Sequence, residues 1–147
     1  AVALRQSCIE KFSKLWDVFV STDPEKHFLH PLVYDEIYKG IVSSEGFHKK
    51  DAGVDFGNTV YNDHHYHYGY WIVAASIFLY LHPEYPQRQI LEGRIETLIR
   101  DVANPNSEDP YFPRFRHFDW YLGHSNGLDK RCRNSFIQFK NGQKDNV

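Results

Sequence analysis

Between Asp55 and Tyr70 the chain reads Asp-Phe-Gly-Asn-Thr-Val-Tyr-Asn-Asp-His-His-Tyr-His-Tyr-Gly-Tyr, which sets Asp63 and three histidines among tyrosines. If a helix begins near Asp63, His67 lies one turn on and shares its face, while His64 and Tyr68 occupy another. A carboxylate ringed by aromatic side chains loses hydration and can hold a proton near neutrality as a general acid. Cleavage of a glycosidic bond needs such an acid to protonate the leaving oxygen. Two other readings fit the same residues. An aspartate at a helix start can serve as a cap. Asp63 with His67, or His64 with His67, has the spacing to give a divalent ion two ligands, although no further Asp/His motif obviously supplies a third.

A second segment, Tyr111-Phe112-Pro113-Arg114-Phe115-Arg116-His117-Phe118-Asp119-Trp120-Tyr121-Leu122-Gly123-His124-Ser125, alternates rings with Arg, His and Asp. Rings that stack on sugar faces and polar heads that bond hydroxyls would produce this pattern. So would a core loop in which Arg114 or Arg116 pairs with Asp119.

Helices must position these segments. From Val2 to Val20 apolar residues recur at steps of three and four (Leu4, Cys8, Ile9, Phe12, Leu15, Trp16, Phe19), which predicts an amphipathic helix stopped before Pro24. Residues 31–46 show no clean period and read as a short helical turn followed by an extended loop. The polar stretch Asp51–Asn62 reads as a loop delivering Asn62 or Asp63 as the cap of a helix over His64–Leu81. That helix is apolar nearly all round, as one enclosed in a larger assembly would be. A third helix fits Pro86–Val102, with Ile90 or Leu91, Ile95, Leu98 and Val102 on one stripe. Amphipathic helices joined by long loops, without alternating strands, predict an all-α solenoid or toroid.

Composition narrows the function classes. The 147 residues suit one domain, and their 41% hydrophobic and 24% charged content is that of a globular chain. Aromatics are unusually abundant at 16%, enough to fill a large core or line a groove. A net charge of −2 argues against a nucleic-acid partner. The longest apolar run, Trp71–Leu81, is about half of a membrane span, so no membrane partner is expected. Cys8 and Cys132 are too few for a disulfide framework or a thiolate zinc site. Residues 1–128 carry 12 basic and 17 acidic side chains, whereas 129–147 carry 5 and 2, so the tail differs in character from the body. The first residues open directly into helical periodicity, and the chain is expected to begin inside an element.

The run DFGNTVYNDHHYHYGYWIVAAS resembles the motif of glycoside hydrolase family 81 in which N-D-H-H-[FY]-H-Y-G-Y precedes a helix. YFPRFRHFDWYLGHS resembles a later segment of that family, and PLVYDEIYKGIVSSEGF its approach to the site. The resemblance covers about residues 28–125. It implies a mainly α fold, part of an (α/α)6 toroid, and an inverting endo-hydrolase of β-1,3-glucan requiring no metal or other cofactor. It further implies that Asp63 is the general acid and that His67 lines the cleft beside it. Asp119 and His124 would contact or support the substrate, with Tyr61, Tyr70 and Trp120 as candidate sugar-contacting rings. The family's base is a glutamate in an E-S-x-S-E motif, but residues 109–147 contain no glutamate. Residues 1–125 are therefore expected to form part of the catalytic domain. Residues 126–147 are expected to be a divergent tail, of the kind a shifted reading frame yields, and the chain alone to be inactive or a glucan-binding remnant. Since β-1,3-glucan is a wall polymer, an extracellular or wall location is expected.

Overall fold

A computed structural model of the chain describes residues 2–26, 28–116, 118–119 and 121–125. Its elements run α1 (Val2–Val20), β1 (Leu32–Asp35), β2 (Gly40–Ser43), α2 (Glu45–Lys49), a 3₁₀ segment (Val54–Val60), α3 (His64–Leu81), α4 (Arg88–Ala103), β3 (Phe118–Asp119) and β4 (His124–Ser125). The three long helices carry the mass, and the fold is mainly α as expected.

α1 occupies the residues its periodicity marks, and α3 the apolar run His64–Leu81. α4 begins two residues later than expected, at Arg88, with the Gln87 carbonyl accepting from the Leu91 amide. It buries Leu91, Ile95 and Leu98, whereas Ile90 faces outward. α1 contributes Ile9, Trp16, Phe19 and Val20 to the same core, and α3 contributes Tyr68, Ala75, Phe78 and Leu79. Trp16 is the centre of an aromatic cluster, with ring centroids 5.7 Å from Trp71, 5.8 Å from Phe19 and 6.3 Å from Phe78. Burying one such side chain stabilises the fold by about 1.5–3 kcal/mol. The Tyr85 hydroxyl, donating to Asp17 at 2.7 Å, ties the α3–α4 connection back to α1.

Residues 31–46 differ from the expected turn and loop. They form an antiparallel hairpin, with Leu32 opposite Ser43 and Asp35 opposite Gly40, followed by the short α2. Val33, Ile41 and Val42 favour the pleated form. The reversal falls in residues 36–39, where Lys39 takes φ +53° without the glycine or asparagine that usually marks such a turn. The 3₁₀ segment is stitched to this hairpin. Asn58 Oδ1 accepts from the Ser43 amide at 3.0 Å, and the Thr59 hydroxyl donates to the Ser43 carbonyl at 2.7 Å. Hairpin and 3₁₀ segment together make a platform on which the start of α3 rests.

α3 is not enclosed by the described residues. Tyr66, Tyr70, Val73, Ile77 and Tyr80 all face outward, four or three residues apart. Among the described residues no helix is long and apolar enough to cross a membrane.

Candidate active site

Asp63 immediately precedes α3 with φ +49° and ψ +30°. An N-capping side chain normally reaches back to the helix amides from a β-region backbone. Asp63 holds the N-cap position as expected, but from the left-handed region its side chain makes no capping bond: its carbonyl, not its carboxylate, accepts from the Tyr66 and His67 amides. The half-buried carboxylate instead accepts from Asn62 Nδ2 at 3.1 Å, and the same Asn62 nitrogen donates to the Phe56 carbonyl at 2.9 Å. Upstream, Asp55, Phe56 and Gly57 all have positive φ, and so does Tyr61. Such backbone costs of order 1–3 kcal/mol per non-glycine residue and concentrates at functional sites.

The residues flanking Asn62 and Asp63 are held firmly. Tyr61 is 5% exposed; its hydroxyl donates to Asp35 at 3.0 Å and its ring lies 4.9 Å below the Arg116 guanidinium. The ring's other neighbour is the His64 imidazole, 4.7 Å away. Burial, with the Asp35 carboxylate beside it, pushes the Tyr61 phenol well above its ordinary value. Gly40 makes this approach possible, because a Cβ there would stand 2.5 Å from the Tyr61 ring.

His64 is fully buried and bonds through Nε2 to Asp101 Oδ2 at 2.8 Å. Desolvation lowers its pKa below the ordinary 6.5, with the Asp101 carboxylate acting in the opposite direction. Asp101, also without exposure, accepts from the Ile41 amide and from Arg116 Nε, each at 2.8 Å. Arg116 thus pairs with Asp101, and it also donates to the Tyr38 and Lys39 carbonyls. Tyr68 closes the group, its hydroxyl donating to the Ile41 carbonyl.

His67 and Asp63 are not brought onto one helical face, because Asp63 lies outside the helix in a left-handed conformation. His67 stacks near Phe56, ring centroids 6.3 Å apart, and lines a cleft of ≈ 280 Å³ with Asp55, Asn58, Tyr68 and Trp71. The carboxylate of Asp63 acts on His65 instead, opposing the burial that lowers that imidazole's pKa. Tyr70 is 76% exposed, free to meet a ligand, whereas Tyr61 has its polar atom already engaged. Asp119 and His124 are cross-strand partners in the β3–β4 ribbon. Trp120 lies outside the described residues, as do residues 126–147.

His64 spends its Nε2 on Asp101, and the described residues contain no group of three or more His, Cys, Asp or Glu able to hold a metal. Asp101 and Arg116 are the residues that sequence reasoning missed in these roles. The available signal was an acid three residues beyond Leu98, on the buried stripe of α4, where an unpaired charge is costly.

Three kinds of comparison bear on this arrangement. The profile of the glycosyl hydrolase family 81 C-terminal domain matches residues 2–131. The chain is similar to a glucan endo-1,3-beta-D-glucosidase of Arthroderma benhamiae, 50% identical over 95 residues, covering 65% of this chain and 10% of the relative. It is also similar to the primary septum glucan endo-1,3-beta-D-glucosidase of Schizosaccharomyces pombe, 40% identical over 119 residues, covering 81% and 11%. Among solved structures, a mutant of the glycoside hydrolase family 81 protein from Clostridium thermocellum shares the fold with TM-score 0.55 and 28% identity, covering 84% of this chain and 15% of that one. The chain thus spans about a tenth of the length of these curated relatives. With a mainly α fold of the helical glycosidase type and a matching profile over most of its length, the chain belongs to glycosyl hydrolase family 81, within its C-terminal domain.

Proposed function

We propose that this chain supplies the acid-bearing part of an endo-β-1,3-glucanase, with Asp63 as general acid. The observation that carries the reading is the placement of Asp63: a half-buried carboxylate, held by Asn62, on a turn whose two flanking residues are fixed in the core. The names of the relatives, glucan endo-1,3-beta-D-glucosidases, supply the substrate class. In the inverting reaction Asp63 gives its proton to the glycosidic oxygen as the bond to the anomeric carbon breaks. A second carboxylate, about 6.5–9.5 Å away, takes a proton from the water that attacks the opposite face. We assign that base to a glutamate outside residues 1–147, since none follows Glu108 here. His67, Tyr70, Asp119, Trp120 and His124 are assigned to sugar contacts. Tyr61 serves the site from behind, through Arg116 and His64. The substrate class favours work outside the cell or in the wall, and residues 126–147 are assigned to a divergent tail, although the family profile runs on to residue 131.

Residues 1–147 alone are therefore expected to hold glucan while turning over little of it. The outward rings of Tyr66, Tyr70 and Tyr80 favour this binding behaviour, because exposed aromatic faces stack on pyranose rings. Retention of the purified chain on insoluble β-1,3-glucan, without release of reducing sugar from the soluble polymer, is the expected result. Sugar release abolished by Asp63→Asn would overturn the loss of turnover, and failure to be retained would overturn the glucan contact.

A further inference from the structure

We propose that Asp101 is a positioning residue for the acid-bearing turn, acting through His64 and Arg116; the inference rests on the reading of Asp63 as the acid. The chain between Tyr61 and His64 is a two-residue bracket. Both of its ends are buried, Tyr61 at 5% and His64 at 0% exposure, while Asn62 and Asp63 stand partly in solvent. Neither Asn62 nor Asp63 is tied to the helix by a capping side chain, so the carboxylate's direction depends on the Asn62 amide that holds it and on how the two ends are seated.

Both ends lead to Asp101. His64 is bonded to its Oδ2 directly, and Tyr61 is reached through Arg116, whose Nε bonds its Oδ1 and whose guanidinium covers the Tyr61 ring. The third donor, the Ile41 amide, anchors the same carboxylate to β2, and the Tyr68 hydroxyl on the Ile41 carbonyl returns the connection to α3. One carboxylate on α4 therefore joins the hairpin, the first turn of α3 and the 111–116 segment. An asparagine at position 101 would present one acceptor and one donor to three donors, so at least one arm must release. Burial supplies the directionality: with side-chain exposures of 0% for His64 and Asp101 and 9% for Arg116, water has little access to replace a lost partner.

The Asn62 side-chain amide reports on the seat of the acid, since it bonds Asp63 and the Phe56 carbonyl together. In ¹⁵N-labelled 147-residue chain, Asp101→Asn and the milder Arg116→Lys are expected to shift or broaden the Asn62 amide pair and the Tyr66 and His67 backbone amides. Ile95→Val, a core change that also lowers the unfolding midpoint, is the control and should leave these resonances in place. Arg116→Lys keeps the charge and provides the test if Asp101→Asn does not fold. A folded variant of either kind whose Asn62 pair does not move, or Ile95→Val moving it equally, would make Asp101 a structural residue only and overturn the proposal. Because no turnover is read, such a result leaves the glucan reading intact, and failure of the glucan assays leaves the spectroscopic result intact.

Discussion

The two halves of α3 are held by different physics. Its N-terminal end is gripped through directional bonds, His64 to Asp101 and Tyr68 to the Ile41 carbonyl. Its C-terminal half is held chiefly by contact, with Ala75, Phe78 and Leu79 set against Trp16, Leu91 and Ile95, while Arg88 and Arg5 donate only to its last carbonyls, those of Leu79 and Leu81. Apolar contact is tolerant of small rotations, whereas a buried ion pair fails when its geometry is lost. Orientation matters at the end that carries Asp63, and that is where the directional bonds lie. The far end needs mainly cover.

The largest losses should follow deletion of one member from each half. Arg116→Ala leaves Asp101 buried without its cation and is expected to cost about 3–5 kcal/mol. Leu91→Ala, at the centre of the apolar half, is expected to cost about 2–5 kcal/mol through lost transfer energy and the cavity left behind. Urea titrations give both values, and raising the salt concentration should leave both nearly unchanged because neither site is open to screening. An Arg116→Ala loss below about 1 kcal/mol would show that the two halves are not held differently.

Acid should separate them next. Burial holds the His64 pKa below 6.5, so the unfolded chain takes up this proton more readily than the folded one. The contribution of His64 is complete above about pH 6.5 and is lost as pH falls below it, the window being set by the ordinary histidine value. His65 acts with the same sign. Stability measured from pH 7 to pH 5 should therefore fall more steeply in the wild-type chain than in His64→Gln. Parallel curves would remove His64 from the account.

The smallest effect belongs to the outward stripe of α3. Tyr80→Ser removes a ring that is 85% exposed and should change stability by less than about 0.5 kcal/mol. Its effect should appear in solubility or in retention on glucan, since five large side chains in a row along one helix face form an exposed apolar strip.

Much of this arrangement is legible in the sequence, and what is not has identifiable causes. The long segments Val2–Val20 and His64–Leu81 declare themselves, the first because each turn repeats the same instruction and the second as one long apolar run. The β1–β2 hairpin does not, because its strands are four residues long and Lys39 occupies a left-handed position where the usual turn residues are missing. Asp63 is recognisable as a special residue from its neighbours. Its failure to cap is not, since that depends on a backbone angle set by the preceding loop. Asp101 is the clearest case of a site residue that resists reading: its partners lie 15, 37 and 60 residues away in sequence, and only folding brings them together. Proximity in sequence offered Asp119 as one partner for Arg114 or Arg116, whereas the bond from Arg116 to the buried carboxylate of Asp101 could be seen only in the fold.

The two-residue bracket between Tyr61 and His64 also separates what can change from what cannot. Asn62 and Asp63 span a gap whose edges are fixed by others, so an isosteric exchange such as Asp63→Asn removes an ionisable proton without withdrawing a strut. Tyr61, His64, Asp101 and Arg116 have no such freedom, because altering one strands the rest. Variation at the first pair can tune chemistry one residue at a time, while variation in the second set must be concerted.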